Sequence, residues 1–117
     1  MQSLKNCACA GKSLPKLLRP AVLSVLAKGA SHGYAVIEEL RRLGVCGERV
    51  PDHTGVYRVL QAMETEGLVA SGWEHPRSGP AKRIYRLTPR GGTCLKKWKG
   101  TLEGYQRTID MLLRSFS

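Results

Sequence analysis

The stretch DHTGVYRVLQAMETEGLV (residues 52–69) carries two faces with different chemistry. Val56, Val59 or Leu60, and Met63 recur at the three-and-four spacing that lines apolar groups along one side of a helix. Thr54, Gly55, Tyr57, Arg58 and Gln61 fall on the other side near the helix start, where a plain surface helix would carry Glu and Lys. Small residues there let a helix approach a partner closely, and polar ones supply hydrogen bonds. In a helix-turn-helix the second helix of the pair lies in the major groove and offers its N-terminal side chains to base edges. Arg58 suits guanine through its bidentate fork, and Gln61 suits adenine. Both also suit phosphate, which fixes register without reading sequence. Taken singly, each of these residues is equally a solvated polar side chain, and Tyr57 a half-buried packing residue.

The four cysteines form the second constellation. Cys7-Ala8-Cys9 brings two thiols close enough for a soft ion such as Cu(I), or for joint oxidation with a third thiol. Structural zinc wants four ligands and wider cysteine spacing. Cys46 lies in the loop before the helix just described, and Cys94 opens the terminal helix. An N-terminal arm that folds back would bring Cys7 and Cys9 to Cys94 of either subunit and couple thiol state to dimer geometry; His53 could join Cys46. The plainer reading makes Cys46 a small apolar residue, Cys94 a helix filler and the arm a carrier of two incidental thiols. No metal ligand is assigned.

Catalytic chemistry finds little support. His32, His53 and His75 each fall in a loop or at a helix start, and no phosphate-binding glycine loop is present. Glu38 and Glu39 are adjacent on a helix and therefore splay apart. The expectation is a non-enzyme without a cofactor.

Charge points elsewhere. Nineteen Lys and Arg against nine Asp and Glu leave a formal net charge of +10 on 117 residues, which favours a polyanionic partner, nucleic acid before an anionic membrane surface. No acid precedes Glu38, while Lys5, Lys12, Lys16, Arg19 and Lys28 do. Arg77, Lys82, Arg83, Arg86 and Arg90 have only Glu74 nearby. No run approaches the roughly 18–20 apolar residues that span a bilayer, and the N-terminus lacks a secretory pattern. The expected setting is cytoplasmic, with reduced thiols and no membrane partner.

These residues need elements to position them. Residues 1–13 read as a flexible cysteine-bearing arm. Leu17, Leu18, Ala21, Val22, Val25 and Leu26 follow helical spacing; Pro20 belongs in a first turn, so the helix starts near Arg19 and residues 14–18 form a separate turn. A second helix opens at a Ser31 cap, turns Val36, Ile37, Leu40 and Leu43 inward and stops at Gly44. After the loop VCGERVP, Asp52 caps a third helix that ends at Gly67. The period then shortens to two: LVASGWE (68–74) and RIYRLT (83–88) are strands around the turn HPRSGPAK. Three helices and a basic-tipped hairpin make a mainly α (α+β) winged helix-turn-helix over residues 14–91. Arg77, Lys82 and Arg83 flank the turn and can reach phosphates or the minor groove; Arg86 sits further down, facing solvent.

Residues 92–117 form a terminal helix. Leu95, Trp98, Leu102, Tyr105, Ile109, Leu112 and Phe116 step by 3, 4, 3, 4, 3 and 4, a three-heptad seam. The hairpin and three helices already close a small core, so the seam calls for a partner helix and hence a homodimer. Packing on its own domain is the alternative. Near a two-fold axis Trp98 would meet its copy, and paired indoles can line a slot for a flat aromatic effector; the simpler reading is interface core.

Three motifs in order, HGY (32–34), GVYRVLQAMETEGLV (55–69) and GPAKRIYRLTPRG (79–91), make the chain resemble the PadR family of bacterial transcriptional regulators over residues 17–113. The resemblance implies a homodimeric DNA-binding repressor, with a winged domain and a C-terminal dimerisation helix, that ligands or other signals release from its operator. By position, Tyr57 matches the tyrosine of the family's recognition helix, and Lys82, Arg83 and Tyr85 match the wing motif. Tyr34 of HGY joins the DNA-binding set. Arg58 stands where the family usually has Pro, so operator preference does not carry over. Two other functions stay open: a thiol- or soft-metal-handling protein with DNA binding secondary, and a winged-helix module that binds protein.

Overall fold

The computed structural model describes residues 14–45, 52–77 and 79–117. A 3-10 turn (Leu14–Leu17) leads into α1 (Leu18–Ala27), followed by β1 (Ser31–His32), α2 (Gly33–Leu43), α3 (His53–Thr65), β2 (Val69–Glu74), β3 (Lys82–Leu87) and α4 (Pro89–Phe116). Among these helices none is long and apolar enough to cross a membrane.

Pro20 lies in the first turn of α1, where its missing N–H interrupts no intrahelical bond. α1 is the hub, touching α2, α3, β3 and α4. A helix surrounded in this way buries more than one stripe, and Leu23, absent from the periodic set, is only 1% exposed. With it, Val22, Leu26, Val36, Ile37, Leu40, Val56, Leu60, Met63 and Val69 form an almost wholly aliphatic core. That core follows from a sequence with a single Phe.

Two details of α2 differ from expectation. Ser31 is not its cap: Ser31 and His32 extend as β1 and pair antiparallel with β3, Ser31 opposite Tyr85 and His32 opposite Ile84. The free edge of the hairpin supplies backbone partners that a cap would otherwise have to provide. His32 occupies the N-cap position without a side-chain bond. Leu43 is exposed rather than inward, as the last residue before α2 stops at Gly44 in the left-handed region, φ 69°. Asp52 does sit at the N-cap of α3, but its side chain accepts no capping hydrogen bond.

The sheet order is β1-β3-β2, and the hairpin runs in register from Val69 opposite Leu87 to Glu74 opposite Lys82. Alternation puts Val69, Ser71, Trp73, Arg83, Tyr85 and Leu87 on one face. Val69 and Tyr85 bury in the core, so this face looks inward. Burial pushes the Tyr85 hydroxyl above its usual pKa.

α4 begins at Pro89, three residues before the start read from the sequence. Thr88 caps it: its Oγ1 accepts from the Gly91 N–H at 3.0 Å and donates to the Gly67 carbonyl at 2.7 Å. The helix lies so close to the chain at Leu68 that a Cβ on Gly91 would overlap the Leu68 carbonyl oxygen. The TPRG segment therefore docks α4 onto the junction of α3 and β2. An Arg19–Glu66 pair, at 2.7 and 2.6 Å, clips the first turn of α1 to the end of α3; being half-exposed it contributes about 0–1 kcal/mol. At about 1.5 Å per residue the 28 residues of α4 run about 42 Å, well past the domain.

Candidate nucleic-acid interface

α3 divides its residues as its spacing implies. Val56, Leu60 and Met63 are fully buried, and Val59 is half-buried. Thr54, Tyr57, Arg58 and Gln61 are exposed, and Gly55 is partly so. The burial of the first set is what holds the second outward.

Around this end of α3 three elements meet. The Tyr57 ring lies over the start of α2, where a Cβ on Gly33 would come within 2.5 Å of Tyr57 Cε1. Gly33 thus gives the ring its seat, which is the structural content of the HGY motif. Tyr34, 62% exposed, stands edge-to-face with His53, ring centres 6.3 Å apart. His53, the first residue of α3, adds to the surface expected from the sequence, and its place beside Thr54 is the signal that marks it. A cleft of about 420 Å³ lies between these groups and the wing, lined by His32, Gly33, Tyr34, Tyr57, Lys82 and Arg83 among others.

The wing cations separate into two kinds. Arg77, just beyond β2, and Lys82, at the start of β3, are exposed. Neither they nor Arg58 form an ion pair with another described residue. Arg83 instead reaches inward, with one guanidinium nitrogen 3.2 Å from Glu64 Oε1. Arg86, opposite Ala70, is exposed, as read. Across the sheet, His32 Nε2 is shielded from solvent and lies 3.4 Å from Glu74 Oε1 without a hydrogen-bond partner among the described residues.

The seam of α4 splits in two. Leu95 and Trp98 pack against the domain's own core, with Cys94 beside them, and Leu102 is half-buried. Beyond it Tyr105, Ile109, Leu112 and Phe116 are 50–74% exposed, as are Met111 and Leu113 off the seam. Between α1 and the first half of α4 runs an apolar groove of about 620 Å³, lined by Leu17, Pro20, Ala21, Leu87, Leu95 and Leu102 among others.

Cys94 is half-buried, has no disulfide partner among the described residues and shares a shallow hollow with Lys97, Trp98 and Thr101. Cys7, Cys9 and Cys46 lie outside the described residues. Among the described residues no three His, Cys, Asp or Glu side chains converge as metal ligands.

Comparison with known proteins gives the same architecture. Residues 22–97 match the model of the transcriptional regulator PadR-like family. The chain is 33% identical over 92 residues to transcriptional regulator Rv3488 of Mycobacterium tuberculosis, spanning 79% of this chain and 81% of that protein. It superposes on a PadR-like transcriptional regulator from Bacillus cereus with a TM-score of 0.75 at 22% identity, covering 87% of this chain and 96% of the other. Bacillus subtilis PadR, solved in complex with operator DNA, aligns at 24% identity and a TM-score of 0.62, over 70% of this chain and 46% of that one. At these identities the two structures speak for the fold. With the winged helix-turn-helix in place and the family model spanning most of it, the chain belongs to the PadR-like family of transcriptional regulators.

Proposed function

We propose that the protein is a dimeric repressor that binds a specific operator, with the start of α3 in the major groove and the wing on the flanking backbone. The observation that carries this reading is the division of α3: its apolar stripe is fully buried while Thr54, Tyr57, Arg58 and Gln61 are left without a place in the core. Arg58 and Gln61 supply base contacts; Tyr34, Arg77 and Lys82 hold the backbone. A net charge of +10 favours the encounter.

The dimer is supported by the outer half of α4. Tyr105, Ile109, Leu112 and Phe116 continue a seam whose inner half is packed, and no described residue of the same chain covers them. A partner helix along this seam, or one laid into the apolar groove between α1 and α4, would bury them. Two copies would present two recognition helices to a two-fold-related operator. Release by a flat aromatic molecule, or by a thiol or soft-metal signal, is the regulatory half of the reading; its support is that Cys94 and Trp98 share one hollow at the packed end of the seam.

The test is a salt titration of the reduced protein on duplex DNA from upstream of its own coding region, beside random duplex, repeated after mild oxidation or added soft metal. Tighter binding to the upstream duplex, falling steeply with salt, is expected. Failure to bind either duplex at low salt would overturn the reading. Weakening on oxidation or with metal supports the thiol signal, and unchanged affinity removes it.

A further inference from the structure

Arg83 is held unlike its neighbours in the wing. Its Nε donates to Ser71 Oγ at 3.0 Å, and a terminal nitrogen donates to Glu64 Oε1 at 3.2 Å. Ser71 Oγ in turn donates to Glu64 Oε2 at 2.5 Å. Side chains from α3, β2 and β3 thereby close one ring, in which the serine hydroxyl both gives and accepts. The guanidinium carbon also lies 5.5 Å from the centre of the Trp73 ring and 5.9 Å from that of Tyr85, within cation–π range of both.

Glu64 is the informative member. It lies seven residues along α3 from Tyr57, on the stripe that also carries Gln61, and so faces the wing side of the helix. A lone carboxylate there would repel a nucleic-acid backbone. Paired with Arg83 it is neutralised, and the two DNA-facing elements are tied together at one point. If Arg83 left for a phosphate, Glu64 would be uncovered beside it and the tie would be lost.

We propose that Arg83, Glu64 and Ser71 are positioning residues, which fix the wing against the recognition helix and do not themselves contact DNA. This rests on the DNA-binding reading above. A surface that must match groove and backbone together loses affinity when its two halves move independently, because the binding geometry is no longer preorganised. The assignment reverses the expectation that Arg83 is a phosphate contact like Lys82.

The salt dependence of binding separates the two roles, since each phosphate contact contributes about 0.9 to the slope of log affinity against log salt. The wild-type chain, Lys82→Gln, Arg83→Gln, Glu64→Gln, Ser71→Ala and the Glu64→Gln/Arg83→Gln double variant are titrated on the upstream and random duplexes across a salt series. Lys82→Gln is expected to lower the slope by about one. Arg83→Gln, Glu64→Gln and Ser71→Ala each weaken upstream binding by about three- to tenfold with the slope unchanged, and the double variant is no worse than Arg83→Gln. Hydrogen exchange at the β2–β3 amides, read without DNA, quickens in Arg83→Gln, Glu64→Gln and Ser71→Ala but not in Lys82→Gln. Ser71→Ala alters no charge and reads the ring even where Arg83→Gln fails to fold. A slope lowered by about one in Arg83→Gln, or tighter binding by Glu64→Gln as simple charge removal would give, overturns the assignment alone. A wild-type chain that binds neither duplex overturns it together with the DNA-binding reading.

Discussion

α1 and α4 carry similar apolar spacing, and the structure treats them differently. α1 is enclosed by α2, α3, β3 and α4, so that Pro20, Val22, Leu23, Val25 and Leu26 all bury. α4 shares in that enclosure only through its first turns; among its residues only Gly91 is fully buried, and its outer half lies open. The same periodic signal thus means core in one helix and, in the other, a core face followed by an unfilled one. Periodicity says that a helix has an apolar side. It does not say whose surface will cover it.

Substitutions on the apolar sides of the two helices should break this comparison if it is wrong. Leu23 of α1 is only 1% exposed, and Leu23→Ala is expected to cost about 2–5 kcal/mol in urea unfolding, enough to unfold much of a marginally stable domain. On the outer helix, Ile109→Asp with Leu112→Asp should leave the winged domain folded. It should convert the proposed dimer to monomer in sedimentation and weaken operator binding by about a hundredfold through lost bivalency. A monomer–dimer balance that ignores these substitutions would place the interface elsewhere.

The two close glycines sharpen the contrast between rigid and yielding contacts. Gly91→Ala meets the Leu68 carbonyl oxygen, part of a backbone that cannot retreat, and should lower stability by about 1–3 kcal/mol. Gly33→Ala meets the half-exposed Tyr57 ring, which can swing away. Its stability should change by less than about 1 kcal/mol, with operator affinity falling about tenfold if the seated ring is what the DNA meets. Equal unfolding midpoints for the two variants would contradict the geometry.

The smallest effect is electrostatic. The hydrogen bond from Arg42, with the charge of Arg42 and of Lys28, holds the Glu39 carboxyl below its ordinary value of 4.5. A carboxyl whose pKa is depressed by folding lends stability above the unfolded value, and that contribution is lost as pH falls through the folded one. Glu39→Gln should therefore slightly lower stability at pH 7 and flatten its decline below about pH 4.5, read from urea midpoints across the pH series.

Much of the fold was legible because local rules agreed. Pro20 marks the first turn of α1, Gly44 stops α2, and the change of period from helical spacing to alternation at Leu68 announces the hairpin. The exposed residues of α3 could also be named, because the spacing of Val56, Leu60 and Met63 leaves them no inward position. Less legible were the features made by distant segments. Ser31 has the chemistry of a cap, yet it becomes a strand because β3 arrives beside it. Leu23 breaks the single-stripe pattern because α1 has neighbours on several sides. His53 meets Tyr34 edge-to-face because the fold brings the start of α2 beside the start of α3.

By itself the sequence determined the charge excess, the order of the four helices and the two hairpin strands, the apolar stripe of α3 and the cations available to the wing. All of these are properties of residue type and spacing along one chain. Tertiary structure decided what each available group does. Lys82 and Arg83 are adjacent basic residues, but alternation along β3 sends them to opposite faces. Only the folded chain places Glu64 and Ser71 where Arg83 can close a ring with them, and leaves Lys82 without an ion partner among the described residues.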